Sequence, residues 1–307
     1  MTQTRLTIGS RGSPLALAQS RMVAEALEKA HGWPGGSIEI LAVKTSGDRI
    51  QDRPLADVGG KALWTKELDL ALLAGKTHCS VHSMKDVESE RPPSLAIAAM
   101  LARADVRDRL IGAASIGELP RGARVGTSSP RRAAQLKRLR SDLSIQSIRG
   151  NVDTRIARRE AGEVDATLLA AAGLDRLGRE GIGSPVPVEE MLPAPAQGAI
   201  GMECRSDDAE TLSLLEAIDH RPTHQAVLAE RAFCRALGGT CHSPVAALAM
   251  VEGSEIHFRC AILSEDGSAE IARSERFPIG DLDRPAALAL EMLSEAAPAI
   301  RRLFSKG

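Results

Sequence analysis

Ser13-Pro14-Leu15-Ala16-Leu17-Ala18-Gln19 returns later in the chain as Ser129-Pro130-Arg131-Arg132-Ala133-Ala134-Gln135. Both copies read Ser-Pro-x-x-x-Ala-Gln, and each follows a strand-like run and a turn of small residues. Leu6-Thr7-Ile8 and Gly9 to Gly12 precede the first; Arg124 to Thr127 and Ser128 precede the second. Serine is a good N-cap because its hydroxyl accepts a bond from the first helical turn. Proline suits the first helical position, where no N–H is needed. Leu15, Ala18, Met22 and Ala26 then recur at helical spacing and predict a buried face on a helix to about Ala30. Strand, loop and helix start also make an anion site, since free N–H groups and the helix dipole point at one spot. Arg11 adds a full charge there. An ordinary capped helix reads the same way, so the repeat carries more weight than either copy. It predicts two similar α/β lobes, each with an anion-binding helix end, facing across a cleft.

Between the copies, Ile38 to Val43 reads as a strand and residues 46–61 as a long polar loop rich in Gly and Asp. Leu63 to Ala74 is amphipathic and helical. Cys79 to Ser83 is a further strand, and it delivers Val81-His82-Ser83-Met84-Lys85-Asp86-Val87, a cluster of polar groups just past a strand end. Ligands collect at such places in α/β proteins. Leu95 to Leu101 is apolar on both faces and predicts a central strand. Arg103 to Asp108 reads as a charged crossover.

After the second copy come a strand near Leu143 to Ile148, the turn Arg149-Gly150-Asn151, and a helix carrying Arg155. Val164 to Ala170 is a strand, and a short helix with Arg176 follows. From Arg121 to Arg159 there are eleven Lys or Arg against two acids, a local +9 in a chain of net charge -1. A solvated basic face is the plain alternative. Arg131, Arg132, Arg149 and Arg155, however, sit at strand-to-helix junctions, and the forked guanidinium matches carboxylate or phosphate. The ligand is expected to be a polyanion. The Pro/Gly hinge Met191 to Gly198 leads to a strand, Ala199 to Cys204, that returns to the first lobe. A small α+β unit then begins near Arg221.

The 307 residues suit two or three domains, and 43% hydrophobic content marks a globular chain. Aromatics are 2% with no Tyr, which opposes single-strand nucleic-acid binding by base stacking. Five cysteines (Cys79, Cys204, Cys234, Cys241, Cys260) lack Cys-x-x-Cys spacing, so a reducing cytoplasm and no metal site are expected. Cys241 alone lies in a glycine-flanked loop, Gly238-Gly239-Thr240-Cys241-His242-Ser243-Pro244, after a helix carrying Arg231 and Arg235. A non-enzymatic two-lobed binding protein for a carboxylate or phosphate would also explain the lobes and arginines. It would not call for Asp86 and Cys241.

Four stretches together resemble porphobilinogen deaminases: Ser13 to Leu17, Val81 to Val87, Gly126 to Arg132, and Arg149-Gly150-Asn151-Val152 with Arg155. Glu230-Arg231 and the cysteine loop add to them. The resemblance spans nearly the whole chain. It implies two similar doubly wound α/β lobes, like two-lobed anion-binding proteins, plus a small C-terminal α+β domain. The expected boundaries are 1–102 with 197–220, 103–196, and 221–307. The implied reaction joins four porphobilinogens head to tail into hydroxymethylbilane, with loss of four ammonias. It implies a dipyrromethane cofactor on a cysteine thioether, and the matching position is Cys241. Asp86 matches the catalytic aspartate, expected to stabilise the cationic azafulvene left when ammonia departs. Lys85, Ser83, Thr127, Ser129, Arg131 and Arg132 match cofactor-holding positions. Arg11, Ser13, Arg149, Arg155 and Arg176 match positions that contact substrate or the growing chain. The implied partners are porphobilinogen and the growing oligopyrrole, with no nucleic acid or membrane, in a cytoplasmic monomer. Thr240 and Ser243 depart from the family's usual cysteine loop. Trp64 stands where phenylalanine is common and reads as core, and His82 reads as structural.

Overall fold

The structure, a computed structural model, describes residues 4–45, 65–238 and 243–304. The elements in chain order are β1 (Leu6–Arg11), α1 (Pro14–His31), β2 (Ile38–Val43), α2 (Lys66–Leu73), β3 (Cys79–Ser83) and a 3-10 turn (Met84–Asp86). Then come β4 (Leu95–Met100), β5 (Asp108–Ile111), β6 (Arg124–Gly126), α3 (Pro130–Leu139), β7 (Ser144–Gln146), α4 (Val152–Glu160), β8 (Ala166–Ala170), α5 (Ala171–Asp175) and β9 (Ser184–Pro185). The last part holds β10 (Ile200–Arg205), α6 (Ala209–Glu216), α7 (Arg221–Leu237), β11 (Val245–Glu252), β12 (Glu255–Leu263), β13 (Glu270–Pro278), α8 (Asp283–Glu295) and α9 (Pro298–Arg301). The loop at 46–61, Trp64, Thr240 and Cys241 lie outside the described residues.

Two compact units divide the chain: Met1–Ala104 with Ala199–His224, and Asp105–Gly198 with Gln225–Gly307. The first holds a sheet of order β2-β1-β3-β10-β4. The second holds a sheet of order β7-β6-β8-β5-β9 and the three-stranded β11-β12-β13 sheet. The two five-stranded sheets share one plan. A first strand (β1 or β6) pairs in parallel with two neighbours, and a further strand (β10 or β5) then adds antiparallel. The repeat therefore does mark two similar α/β lobes, and the third sheet is the small C-terminal α+β part.

The buried face of α1 is not the expected one: Gln19, Val23, Ala24 and Leu27 are buried, whereas Met22 is exposed and Leu15, Ala18 and Ala26 are half-buried, because the sheet meets the neighbouring stripe of the helix. Leu6, Ile8, Val23, Leu27, Val81 and Met202 pack in the first lobe. Leu110, Val125, Leu136 and Leu168 pack in the second. Phe233, Phe258 and Phe277 anchor the third, with the first two rings edge-on at 5.5 Å. A hairpin at Asp266-Gly267 joins β12 to β13, and Gly267 takes φ 70, where only glycine is at ease.

Two further expectations need correction. Leu95 to Leu101 is not central: β4 is the edge of its sheet. It reads as apolar because Ala98, Ala99 and Leu101 pack in the core with Leu212 and Leu215 of α6, which periodicity cannot distinguish from a central position. The charged crossover ends sooner than expected, since Asp108 opens β5 and is buried. No described helix is long and apolar enough to cross a membrane.

Candidate active site

In the first unit, the site forms where β1, β3 and α1 meet. Ser13 caps α1 by accepting from Ala16 N at 3.3 Å, and Pro14 opens the helix. Gln19, one turn on and buried, donates from Nε2 to Ser83 Oγ at 2.8 Å and accepts from that hydroxyl at 3.1 Å. This ties α1 to the end of β3. The 3-10 turn begins at once, and Met84 N donates to Ala199 O at 3.1 Å. Asp86 closes that turn half-buried and lines a pocket shared with Arg11, Ser13, Gln19, His82 and Ser83. Leu15, Val81 and Val87 supply its apolar wall. Lys85 is half-buried on the same turn. The pocket thus offers both signs of charge, from Asp86 and Arg11, beside a helix N-terminus.

A buried ionic network stands behind that wall. Glu203 on β10 is fully buried. Arg91 donates to it from Nε at 2.7 Å and from Nη2 at 2.9 Å. The same guanidinium reaches Asp69, Glu88 and Thr65, so all five of its N–H groups have a use. His82 Nε2 lies 3.3 Å from Glu203 Oε2, outside good hydrogen-bond geometry. Burial pushes the Glu203 carboxyl up, but His82 and Arg91 outweigh it and bring it down to about 2. Arg91 stands before Pro92-Pro93, and nothing local in the sequence marks it as the centre of this network.

In the second unit, Ser129 caps α3 by accepting from Arg132 N at 3.4 Å, and Thr127 Oγ1 accepts from Ser129 N at 3.1 Å. Gln135 matches Gln19 in its role. Its amide donates to Leu192 O at 3.0 Å and accepts from Leu192 N at 2.9 Å. Arg131 and Arg132 are not on a solvated face; they are 3% and 5% exposed. Each puts its Nη2 2.7 Å from one oxygen of Asp108. Their Nη1 groups donate to Leu192 O and Leu168 O. Gln197 Nε2 donates to Asp108 Oδ1 at 2.9 Å. Burial raises the Asp108 carboxyl, but the two guanidiniums outweigh it and hold the group well below the usual carboxylate range. The Nε atoms of both arginines are buried and have no hydrogen-bond partner among the described residues.

Arg149 and Arg155 are half-buried around the start of α4. Asn151 caps that helix from Oδ1 to Thr154 N at 2.9 Å, and Arg155 Nε donates to Gly150 O at 2.9 Å. Gly150 has φ 114, and a Cβ there would stand 2.6 Å from Thr154, so glycine is required. Arg176 follows α5, donates from Nη2 to Gly198 O at 2.6 Å, and keeps a buried Nε without a partner. Burial draws its guanidinium down to about 10. Thus Arg11, Ser13, Ser83 and Asp86 share one pocket, whereas Thr127, Ser129, Arg131 and Arg132 gather at the start of α3 in the other unit.

Cys241, the remaining site position, lies outside the described residues. The four described cysteines are poor nucleophiles. Burial pushes the Cys79 thiol far up, Cys204 to about 11, and Cys234 and Cys260 to about 12. Among the described residues, no group of His, Cys, Asp or Glu is placed to hold a metal ion.

Two family models match the chain. Residues 6–213 match "Porphobilinogen deaminase, dipyromethane cofactor binding domain", and residues 224–297 match "Porphobilinogen deaminase, C-terminal domain". A porphobilinogen deaminase of Sphingopyxis alaskensis is 56% identical over 306 residues, covering 98% of this chain and 96% of that relative. One from Paracoccus denitrificans is 48% identical over 282 residues, covering 91% and 90%. Solved structures match more distantly. The second substrate binding domain of a putative amino acid ABC transporter from Streptococcus pneumoniae is 15% identical with TM-score 0.42, covering 76% of this chain and 95% of that one. An ancestral arginine-binding protein bound to arginine is 14% identical with TM-score 0.39, covering 71% and 92%. With both domain models and two such relatives matched nearly end to end, the chain belongs to the porphobilinogen deaminase family, transferases of tetrapyrrole biosynthesis that use a dipyrromethane cofactor to join porphobilinogen into hydroxymethylbilane.

Proposed function

We propose that this chain makes hydroxymethylbilane with Asp86 at the reacting centre and Cys241 as the thioether anchor of the cofactor. The pocket at the end of β3 carries this reading, because it sets one carboxylate beside Arg11, Ser13 and a capped helix start. Porphobilinogen has that polarity: two carboxylates and an aminomethyl group on one pyrrole. Arg11 and Ser13 suit its carboxylates. Asp86 suits the positive charge that develops on the ring as ammonia leaves, and its carboxylate also accepts the proton released when two rings join. Arg149, Arg155 and Arg176 supply further donors for the acetates and propionates of the growing chain.

The residues at the start of α3 fit the cofactor by their chemistry. Thr127, Ser129 and the unpartnered Nε–H groups of Arg131 and Arg132 make a donor-rich, buried host for carboxylates. Ser83 and Lys85, at the end of β3 in the first unit, match cofactor-holding positions of the family by resemblance. When bound, the dipyrromethane supplies the pyrrole carbon to which substrate is joined. Cys241 matches the anchor position of the family, and burial, which pushes the Cys79, Cys204 and Cys260 thiols up, disfavours those three as the nucleophile. We extend the reading to three domains, bounded as 1–102 with 197–220, 103–196 and 221–307, and to a cytoplasmic monomer.

Intact-mass spectrometry tests the anchor. Protein from a porphobilinogen-producing cell is expected to carry two pyrrole units, absent in Cys241→Ser and retained when any other cysteine is changed. An unmodified wild-type mass together with no bilane synthesis would leave a two-lobed binding protein as the better reading.

A further inference from the structure

Two arginines adjacent in sequence and almost fully buried are an unstable arrangement by themselves. Like charges repel, and each buried guanidinium needs acceptors. Here one residue meets both needs. Asp108, 3% exposed at the start of β5, gives Oδ2 to Arg131 and Oδ1 to Arg132, each at 2.7 Å. Gln197 fixes the carboxylate from a third side, donating to Oδ1 at 2.9 Å and to Val106 O at 2.7 Å. The terminal nitrogens of both arginines are thereby engaged with Asp108, Leu192 O and Leu168 O. Of their six nitrogens, the Nε of each finds no acceptor among the described residues. Three charges sum to one excess positive charge, with two buried nitrogens left without an acceptor there.

We propose that Asp108 is a positioning residue for cofactor capture: it clamps the two guanidiniums so that their Nε–H edges and one net positive charge are left for a carboxylate of the incoming dipyrromethane. The proposal rests on the reading of Arg131 and Arg132 as cofactor-holding residues. Asp108 does not itself meet the ligand; as a carboxylate it would repel one. It acts by orienting the pair and by cancelling one of the two positive charges, so that the pair stays buried before the ligand arrives. A residue that only held the fold together would change thermal stability without governing how fast cofactor is gained.

Apo-protein made in a cell that cannot synthesise porphobilinogen is mixed with porphobilinogen, and growth of the two-pyrrole adduct is followed by intact mass. Asp108→Asn is expected to gain the adduct about tenfold more slowly, the scale of one misdirected charge-assisted bond, while still unfolding cooperatively. Asp108→Glu, which restores the charge, recovers part of the rate. An Asp108→Asn protein that loads as fast as wild type, when the Arg131→Gln/Arg132→Gln double variant loads slowly, overturns the role of Asp108 alone. If that double variant loads at the wild-type rate, the reading of the arginine pair fails instead. Should Asp108→Asn not fold, Asp108→Asn/Arg131→Gln removes one charge of each sign and is compared with Arg131→Gln. Slower loading in the pair supports the clamp, and equal loading overturns it.

Discussion

Asp86 shares a pocket with Arg11, Ser13, Gln19 and His82, so its charge is set among donors and a cation rather than in open water. A carboxylate there does two things that can be separated. Asp86→Asn keeps the shape and removes the charge; Asp86→Glu keeps the charge and moves it by one methylene. If stabilising the developing cation dominates, the Asn variant loses about 3 kcal/mol of transition-state stabilisation, roughly a hundredfold in kcat, and the Glu variant loses less. Steady-state bilane formation by cofactor-bearing protein measures this, and equal turnover in wild type and Asp86→Asn would remove the role. The buried acid that the sequence reading missed is Asp108. Its only signal was an acid at the end of a charged crossover, and nothing local says that such an acid will lie beneath two arginines.

The turn that carries Asp86 is held by a neighbouring strand as much as by its own residues. Met84 is fully buried, and its side chain passes over Gly201 of β10. A Cβ at Gly201 would stand 2.1 Å from Met84 Sδ and 2.8 Å from its Cγ, so Met84 would have to move. Gly201→Ala is therefore expected to shift the 3-10 turn and lower kcat by about tenfold or more, since sub-ångström placement matters at a reacting centre. Gly181→Ala, where the added atom meets nothing within 4 Å, serves as the control and leaves kcat unchanged. Wild-type turnover in Gly201→Ala would show that the turn does not depend on this contact. The helix starts are simpler elements. Ser13 and Ser129 cap α1 and α3 through bonds spanning three residues, which is why the Ser-Pro motif announced both.

Across the first unit, the Arg91–Glu203 network joins β3, β10, α2 and the segment before β4. Glu203 is brought from an ordinary 4.5 to about 2 in the folded protein. A depressed carboxylate stabilises the fold above its unfolded value, and that contribution is lost as pH falls from about 4.5 toward 2. Its size is on the order of 3 kcal/mol at neutral pH. Glu203→Gln is thus expected to be clearly less stable than wild type near pH 7, with the gap narrowing as pH drops below about 4.5. Denaturant midpoints at pH 7, 5 and 3.5 measure it. A gap that stays constant or widens toward acid would contradict the paired state of Glu203.

Read alone, the sequence determined the capped helix starts, most strand and helix locations, the lobe repeat, and the four motifs that mark the family. These are local signals: a cap spans three residues, and a buried face repeats every three or four. What only the tertiary structure decided is how distant residues meet. The edge position of β4, the seating of Met84 over Gly201, and the burial of Arg131 and Arg132 against Asp108 all depend on which strand lands beside which. Apolar residues read alike in edge and central strands when a helix covers them. An arginine reads alike whether solvated or buried, because only the arriving carboxylate, brought by β5 from beyond the reach of any local pattern, makes its burial tolerable.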